Sequence, residues 1–177
     1  MTSTLGMNLR LSNLKSNSTP SLLPLETPLV TFSSVNPLQN KIVQIAPGLF
    51  LGDYFAACNQ KLLSDHQIDV IVNLTGSLPN KYPGSFHYET FSVQDDPTVS
   101  INEDIGLIIG RIHQHIRAEK RVFIHCRMAI SRAPSIAIGY LMRYLGLSFD
   151  EAYDLVKAKK QDIEPNLGFV VLLQSFN

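Results

Sequence analysis

Short apolar runs alternate with helix-type patterns from Lys41 to the end of the chain, and this alternation constrains the fold more than any other feature of the sequence. The apolar runs predict strands at 42–52, where Pro47 and Gly48 divide the run in two, and at 69–75, 86–93 and 121–125. The segments with helical spacing are 61–68, 100–120, 132–146, 149–160 and the residues after Pro165. Strands that alternate with helices predict an α/β fold with a central, mainly parallel, mixed sheet flanked by helices on both faces.

Capping signals support three of these helix boundaries. Ser100 with Glu103, and Ser148 with Glu151, have the spacing of a capping box at a helix N-terminus. Gly146 is the residue type that most often ends a helix.

Residues 1–40 differ from the rest of the chain, because Ser, Thr, Asn and Pro make up about half of them and few are charged. This composition predicts a flexible or extended N-terminal arm. A transit peptide is the alternative, and it is weaker because Arg10 and Lys15 are the only basic residues of the arm. The remaining residues, 41–177, have the length and apolar content of one globular domain.

The composition also excludes several classes of function. Fifteen Lys and Arg residues balance fifteen Asp and Glu residues, whereas general binding to nucleic acid needs an excess of positive charge. No apolar stretch approaches the ~20 residues of a membrane-spanning helix. We therefore expect no nucleic-acid partner and no membrane span, and a bound anion must be met by a local site.

Two cysteines and five histidines restrict the metal chemistry that the chain can support. Cys58 and Cys126 are too few for a disulfide scaffold or a zinc site built from thiolates, and a reducing compartment is the default. His113 and His115 are two positions apart, which points them to different faces of a helix. We expect no metal and no cofactor.

The stretch 124-IHCRMAISRAPS-135 carries the chemistry. It places Cys126 at the carboxyl end of a predicted strand and Arg132 at the start of a predicted helix, where ligand sites of α/β sheets lie. A tight loop there turns backbone N–H groups and the helix dipole towards an anion, and both favour a thiolate at Cys126. Arg132 can hold two oxygens of a phosphate with its planar fork. The alternative is a buried structural cysteine followed by a surface arginine.

The segment 125-HCRMAISR-132 resembles the His-Cys-x5-Arg signature of the cysteine-dependent protein phosphatases, and the surrounding sequence resembles their dual-specificity branch, in particular its small atypical members. Four further segments are similar to that family in the same order: 49–76, 91–101, 132–160 and 165–169. The resemblance implies the cysteine-dependent phosphatase fold and hydrolysis of phosphotyrosine and phosphoserine or phosphothreonine in proteins.

The resemblance also implies the role of each site residue. Cys126 is the nucleophile, and Asp95, 31 residues before it, is the general acid, with Asp96 as the alternative. The backbone of the loop, together with the Arg132 side chain, holds the phosphate; the loop residues are Arg127, Met128, Ala129, Ile130, Ser131 and Arg132. His125 either orients the loop and tunes the thiolate or is a satisfied core histidine.

Two positions depart from the family pattern, which usually has glycine at the position of Ala129 and serine or threonine at that of Ala133. A left-handed backbone at Ala129 would cost ~1–2 kcal/mol. Without a hydroxyl at Ala133, breakdown of the phosphocysteine is expected to be slow, unless Ser131 supplies part of that function. Cys58 is expected to be inert, and a protective disulfide with Cys126 is the alternative.

Three functions follow from these features: a protein phosphatase, a catalytically weak phosphate-binding pseudophosphatase, and a phosphatase for phosphoinositides or another non-protein phosphate. The charge of Arg127 favours the third, but one exposed charge adds little selectivity after screening. We expect phosphorylated protein substrates, a monomer, and a cytoplasmic location with the nucleus as a second compartment.

Overall fold

The computed structural model describes residues 40–98 and 102–176, although the side chains of residues 102–104 lie outside that description. The predicted arm, apart from its last residue, falls outside the described part. The predicted capping box of Ser100 and Glu103 falls outside it as well. The domain boundary at residue 41 therefore stays a prediction.

Within the described residues, five strands form one mixed sheet in the order β1-β2-β5-β3-β4. The strands are β1 (Ile42–Ala46), β2 (Leu49–Gly52), β3 (Val70–Asn73), β4 (His87–Thr90) and β5 (Val122–His125). β1 pairs with β2 in antiparallel orientation, and the other neighbouring strands are parallel. The predicted mainly parallel sheet is confirmed, with β5 at its centre.

The same part of the chain contains six α-helices. They are α1 (Tyr54–Ala57), α2 (Gln60–Asp65), α3 (Asn102–Arg117), α4 (Arg132–Leu145), α5 (Phe149–Lys159) and α6 (Leu167–Gln174). The sequence predicted all of them except α1, which is a single turn that begins where the Asp53 carboxylate accepts a hydrogen bond from the Ala56 N–H group. None of the helices described has the length and apolar composition needed to cross a membrane.

Helices cover both faces of the sheet, as predicted. On one face, α3 to α6 pack on Val70, Val72, Val122 and Ile124, and on the other face α1 and α2 pack on Ile71 and Phe123. All four residues of β5 are buried, because a central parallel strand has neither face in water. The carboxyl end of β5 is therefore fixed in position by the core.

α4 is the helix that connects this core to the predicted anion-binding loop. Residues 133–141, which form most of its length, are buried. It ends at Gly146, whose φ of 69° is the left-handed conformation predicted there, and the capping box of Ser148 and Glu151 then starts α5. The core therefore fixes the position of α4, which begins at Arg132 directly after this loop.

Candidate active site

The loop after β5, residues 126–132, is called the cysteine loop below. β5 lies between β2 and β3, and its last residue, His125, is in register with Gly52 and Asn73. The loop therefore leaves the sheet at the carboxyl ends of three parallel strands and leads directly into α4. Ligands of open α/β sheets bind at such an edge.

Two carbonyl groups of the cysteine loop bond to neighbouring segments, whereas its N–H groups make no such backbone bonds among the described residues. The carbonyl of Arg127 accepts from the Tyr54 N–H group at 3.2 Å, and that of Ile130 accepts from the Glu164 N–H group at 2.7 Å. Among the residues described, no N–H group of residues 127–131 donates to a backbone carbonyl. The N–H group of Ala129 points at the Cys126 sulfur, with 3.2 Å between N and Sγ. The loop thus has the form of a cradle for an anion around the thiol.

Ala129 adopts the left-handed conformation that the sequence analysis considered, with φ of 55°. Its side chain is fully buried, so the methyl group is enclosed by neighbours rather than by solvent. An alanine in this conformation carries a strain of ~1–2 kcal/mol relative to a right-handed backbone. The loop therefore stores strain at the residue whose N–H group contacts the sulfur.

The N-terminus of α4 is open towards the loop. Ser131 is the N-cap residue, yet its side chain does not cap the helix. Pro134 occupies the first turn, where the missing N–H group costs no helical hydrogen bond. The remaining N–H groups of that turn and the positive end of the helix dipole are directed to where a bound anion would lie.

Arg132 lies at the junction of the cysteine loop and the loop that carries the predicted acid. Its side chain is 15% exposed, and its Nη1 donates to the carbonyl of Val93 at 3.3 Å. Its Nε lies 3.6 Å from Oδ2 of Asp95 and has no hydrogen-bond partner among the described residues. The guanidinium thus keeps a donor available next to the carboxylate of Asp95.

The structure separates the two candidate acids. Oδ1 of Asp95 accepts hydrogen bonds from Oγ of Ser131 at 2.6 Å and from Nδ2 of Asn166 at 2.8 Å, which hold the carboxylate beside the cysteine loop. Asp96 is exposed, and its carboxylate accepts from the hydroxyl and the N–H group of Thr98. These two bonds hold the pKa of Asp96 below its usual value. The geometry favours Asp95.

Asn166 is a site residue that the sequence analysis did not single out. Its N–H group donates to Oγ of Ser131 at 3.1 Å, its side-chain amide holds Asp95, and its Oδ1 caps α6 by accepting from Phe169. The close approach of α6 to the acid loop also requires Gly168, where a Cβ atom would lie 2.8 Å from the carbonyl oxygen of Pro97. The signal in the sequence was the segment 165-PNLGF-169.

His125 is buried and stacks on Phe123, with 5.8 Å between ring centroids. Burial lowers the pKa of His125 to about 4, and the charge of Arg132 acts in the same direction. Its Nδ1 lies 3.3 Å from the carbonyl oxygen of Cys126, which can only accept, so Nδ1 carries the proton. The ring therefore orients the start of the loop as a neutral core histidine, and at neutral pH it provides no positive charge for the thiolate.

The suggestion that Ser131 supplies part of the function of the hydroxyl that Ala133 lacks finds no support in the hydrogen bonds of Ser131. The Ser131 hydroxyl donates to Asp95 and accepts from Asn166, so it is committed to the acid loop. Ala133 is fully buried and brings no polar group to the sulfur. Arg127 and Met128 are exposed at the rim of the loop, and Ile130 is half-buried.

Comparison with known proteins identifies the family. The family model of the dual specificity phosphatase catalytic domain matches residues 49–177. The chain is 30% identical over 172 residues to dual specificity protein phosphatase 1-A of Xenopus laevis, a match that covers 97% of this chain and 45% of that protein. The chain belongs to the dual specificity phosphatase family, which confirms the predicted resemblance. It spans less than half the length of this curated relative.

Solved structures of similar proteins confirm the fold, and each match spans most of the solved chain. The crystal structure of human DUSP28 is similar with a TM-score of 0.71 and 28% sequence identity, over 75% of this chain and 90% of that one. The human tyrosine phosphatase-like serine/threonine/tyrosine-interacting protein is similar with a TM-score of 0.72 and 26% identity, over 78% of this chain and 96% of that one. These similarities support the prediction of a small atypical member.

Proposed function

We propose that this protein hydrolyses phosphotyrosine, phosphoserine and phosphothreonine in proteins through a phosphocysteine intermediate at Cys126. The observation that carries the proposal is the cysteine loop: the N–H group of Ala129 contacts the Cys126 sulfur, no described N–H group of residues 127–131 donates to a backbone carbonyl, and Arg132 and Asp95 lie within 3.6 Å of each other. A thiol at such a place is buried to 2% exposure, so only a group that enters the cradle can reach it.

In the first step, the Cys126 thiolate attacks phosphorus, the S–P bond forms, and the P–O bond to the substrate breaks. Asp95 transfers its proton to the leaving oxygen. The loop N–H groups and the fork of Arg132 hold the non-bridging oxygens, and these bonds strengthen as charge moves onto those oxygens in the transition state.

In the second step, a water molecule attacks the phosphocysteine, and Asp95 accepts its proton. The S–P bond breaks, inorganic phosphate leaves, and the thiolate is restored. Because Ala133 has no hydroxyl and the Ser131 hydroxyl is bonded to Asp95 and Asn166, no hydroxyl is available from either residue to stabilise the departing sulfur. We expect this second step to limit turnover.

The test is release of phosphate from a chromogenic aryl phosphate and from phosphopeptides, with reductant and a metal chelator present. We expect the wild-type chain to turn over and Cys126→Ser to lose at least about 10³-fold in kcat, while Cys58→Ser stays within a factor of two. Equal rates for wild type and Cys126→Ser would reject the enzyme. Rapid quenching should trap phosphocysteine during turnover, and its absence would reject a slow second step.

A phosphate-binding pseudophosphatase is the second candidate, and the strained Ala129 together with the apolar Ala133 supports it. This candidate predicts that phosphopeptides bind to the wild-type chain without release of phosphate.

A phosphatase for phosphoinositides is the third candidate, supported by the exposed Arg127 at the rim of the loop. A kcat/KM for inositol phosphate head groups at least about tenfold above that for phosphopeptides would favour it. Monomeric state and cytoplasmic location stay predictions.

A further inference from the structure

Three potential metal ligands lie together at the β4 edge of the sheet. His87 and Glu89 are two apart on β4, so their side chains share one face of the strand, and α3 contributes His115 from above. Their ligand atoms all lie within 4.8 Å of one another. The cluster is on β4, two strands away from β5 and about 10 Å across the sheet, with Glu89 level with Ile124 of β5 and His87 level with Val122. It is therefore separate from the candidate active site.

The distances match the edges of a tetrahedral site. Two ligands bound at about 2.0–2.1 Å to a tetrahedral Zn²⁺ ion lie about 3.3 Å apart. Oε1 of Glu89 is 2.9 Å from Nε2 of His115 and 3.6 Å from Nε2 of His87, which bracket this value. The two imidazole nitrogens need to approach each other by roughly 1.5 Å at most. His87 can make that movement, because its side chain is 59% exposed and it starts an edge strand.

The environment of Glu89 makes the cluster different from an ordinary surface ion pair. The Glu89 side chain is only 11% exposed, so its carboxylate is largely removed from water. At present Arg111 neutralises it, with 2.7 Å from Nη2 to Oε1 and 3.3 Å from Nε to Oε2. The Arg111 side chain is 46% exposed and has room to withdraw. Arg111 thus occupies the charge-compensating place that a divalent cation would take.

We propose that His87, Glu89 and His115 bind one divalent transition-metal ion, with Zn²⁺ preferred, in exchange for the Arg111 guanidinium. Two imidazoles and one carboxylate are ligands that Zn²⁺ accepts, whereas Mg²⁺ and Ca²⁺ prefer oxygen ligands alone. Sequence spacing does not indicate this site, because the histidines lack metal-binding spacing along one helix and the ligands come from two elements. A bound ion would join the edge strand β4 to α3 and leave a fourth position for water.

The proposal is tested on the full chain with Cys126→Ser as the parent, so that the active-site thiol cannot bind zinc. After chelation, ZnCl₂ is titrated while Tm is recorded, and binding is measured by calorimetry. We expect one equivalent of Zn²⁺ to bind and Tm to rise by about 5 °C or more when free zinc is 100 times Kd. MgCl₂ should give no shift. Replacement by Co²⁺ should give the visible absorption of a tetrahedral ion.

Adding His87→Ala to the parent should remove the Zn²⁺ shift, and this exposed residue can be changed without loss of folding. Adding His113→Gln, a histidine of the same helix outside the cluster, should leave the shift intact. Adding Arg111→Gln removes the competing cation, so Zn²⁺ should bind about tenfold or more tightly. No saturable shift in the parent, an equal shift in the His87→Ala variant, or unchanged or weaker binding in the Arg111→Gln variant would overturn the proposal.

Discussion

The two loops that meet at the candidate active site are built in different ways. The cysteine loop is held through its backbone: two of its carbonyls accept from the N–H groups of Tyr54 and Glu164, and a buried strand and a buried helix flank it. The acid loop, residues 93–98, is exposed after Val93 and has no regular structure. Side chains that are distant in sequence hold it, above all Ser131 and Asn166. The nucleophile is therefore positioned by backbone hydrogen bonds, whereas the acid is positioned by side-chain contacts.

Among the variants that compare the two loops, the largest effect is expected for the guanidinium group of Arg132. Arg132→Lys keeps the charge but replaces two parallel donors with one point charge, so kcat/KM should fall by about 10²–10³-fold. The matched control is Arg127→Lys, an exposed loop arginine, which should lose less than about threefold. Steady-state kinetics with an aryl phosphate measures both. Similar losses for the two variants would show that charge alone, and not the fork, binds the phosphate.

The paired aspartates test the acid loop. Asp95→Asn should lower kcat/KM by about 10²–10³-fold for phosphotyrosine, because the leaving oxygen then receives no proton. Asp96→Asn should lower it less than about threefold, since the hydrogen bonds of Asp96 within the described part of the chain go only to Thr98 of its own turn.

In Asp95→Asn, but not in Asp96→Asn, the pH profile of kcat/KM should lose the limb that reports ionisation of the general acid. The fall in kcat/KM caused by Asp95→Asn should also be smaller for substrates whose leaving group has a low pKa, because such a group needs no proton. A larger loss in Asp96→Asn than in Asp95→Asn would reverse the assignment.

His125 should affect stability more than chemistry. Its pKa, lowered to about 4 from an ordinary 6.5, means that the unfolded chain binds the proton more tightly than the folded protein. The free energy of unfolding is therefore highest above pH 6.5 and falls as pH drops towards 4, by roughly 3 kcal/mol from this residue.

Urea unfolding between pH 7 and pH 4 measures this dependence. His125→Asn keeps a donor near the Cys126 carbonyl and cannot titrate, so its stability should fall less steeply over the same range. Equal slopes for both proteins would contradict the neutral buried imidazole.

Asn166 tests whether tertiary contacts position the acid. Asn166→Ser keeps an N-cap for α6 but removes the amide that reaches Asp95, so kcat/KM for phosphotyrosine should fall by about tenfold. An aryl phosphate with a good leaving group should be affected less, because it depends less on the acid. An equal loss for both substrates, or a large fall in Tm, would indicate a purely structural role.

Local patterns in the sequence predicted part of the fold and of the site. They indicated the alternating strands and helices, the two ends of the cysteine loop and the candidate pair Asp95 and Asp96. The single turn α1 was missed because it depends on one side-chain cap at Asp53 rather than on periodicity.

Contacts between distant segments were also missed. The hydrogen bonds that join Ser131 to Asp95 and Asn166, which lie 36 and 35 residues away in sequence, were not predicted. The cluster of His87 and His115 joins a strand and a helix in the same way. Spacing along the chain cannot report such encounters, because they depend on how the elements pack.

The smallest effect is expected at Ala129, where three terms oppose each other. Ala129→Gly relieves a left-handed strain of ~1–2 kcal/mol, but it removes a buried methyl group worth about 0.8 kcal/mol and adds about 0.5–1 kcal/mol of chain entropy to the unfolded state. The free energy of unfolding should therefore change by less than about 1 kcal/mol, as measured by urea titration. A gain above about 2 kcal/mol would mean that the cysteine loop is held under more strain than its left-handed residue Ala129 accounts for. The backbone contacts of the loop would then hold it less well than the comparison with the acid loop implies.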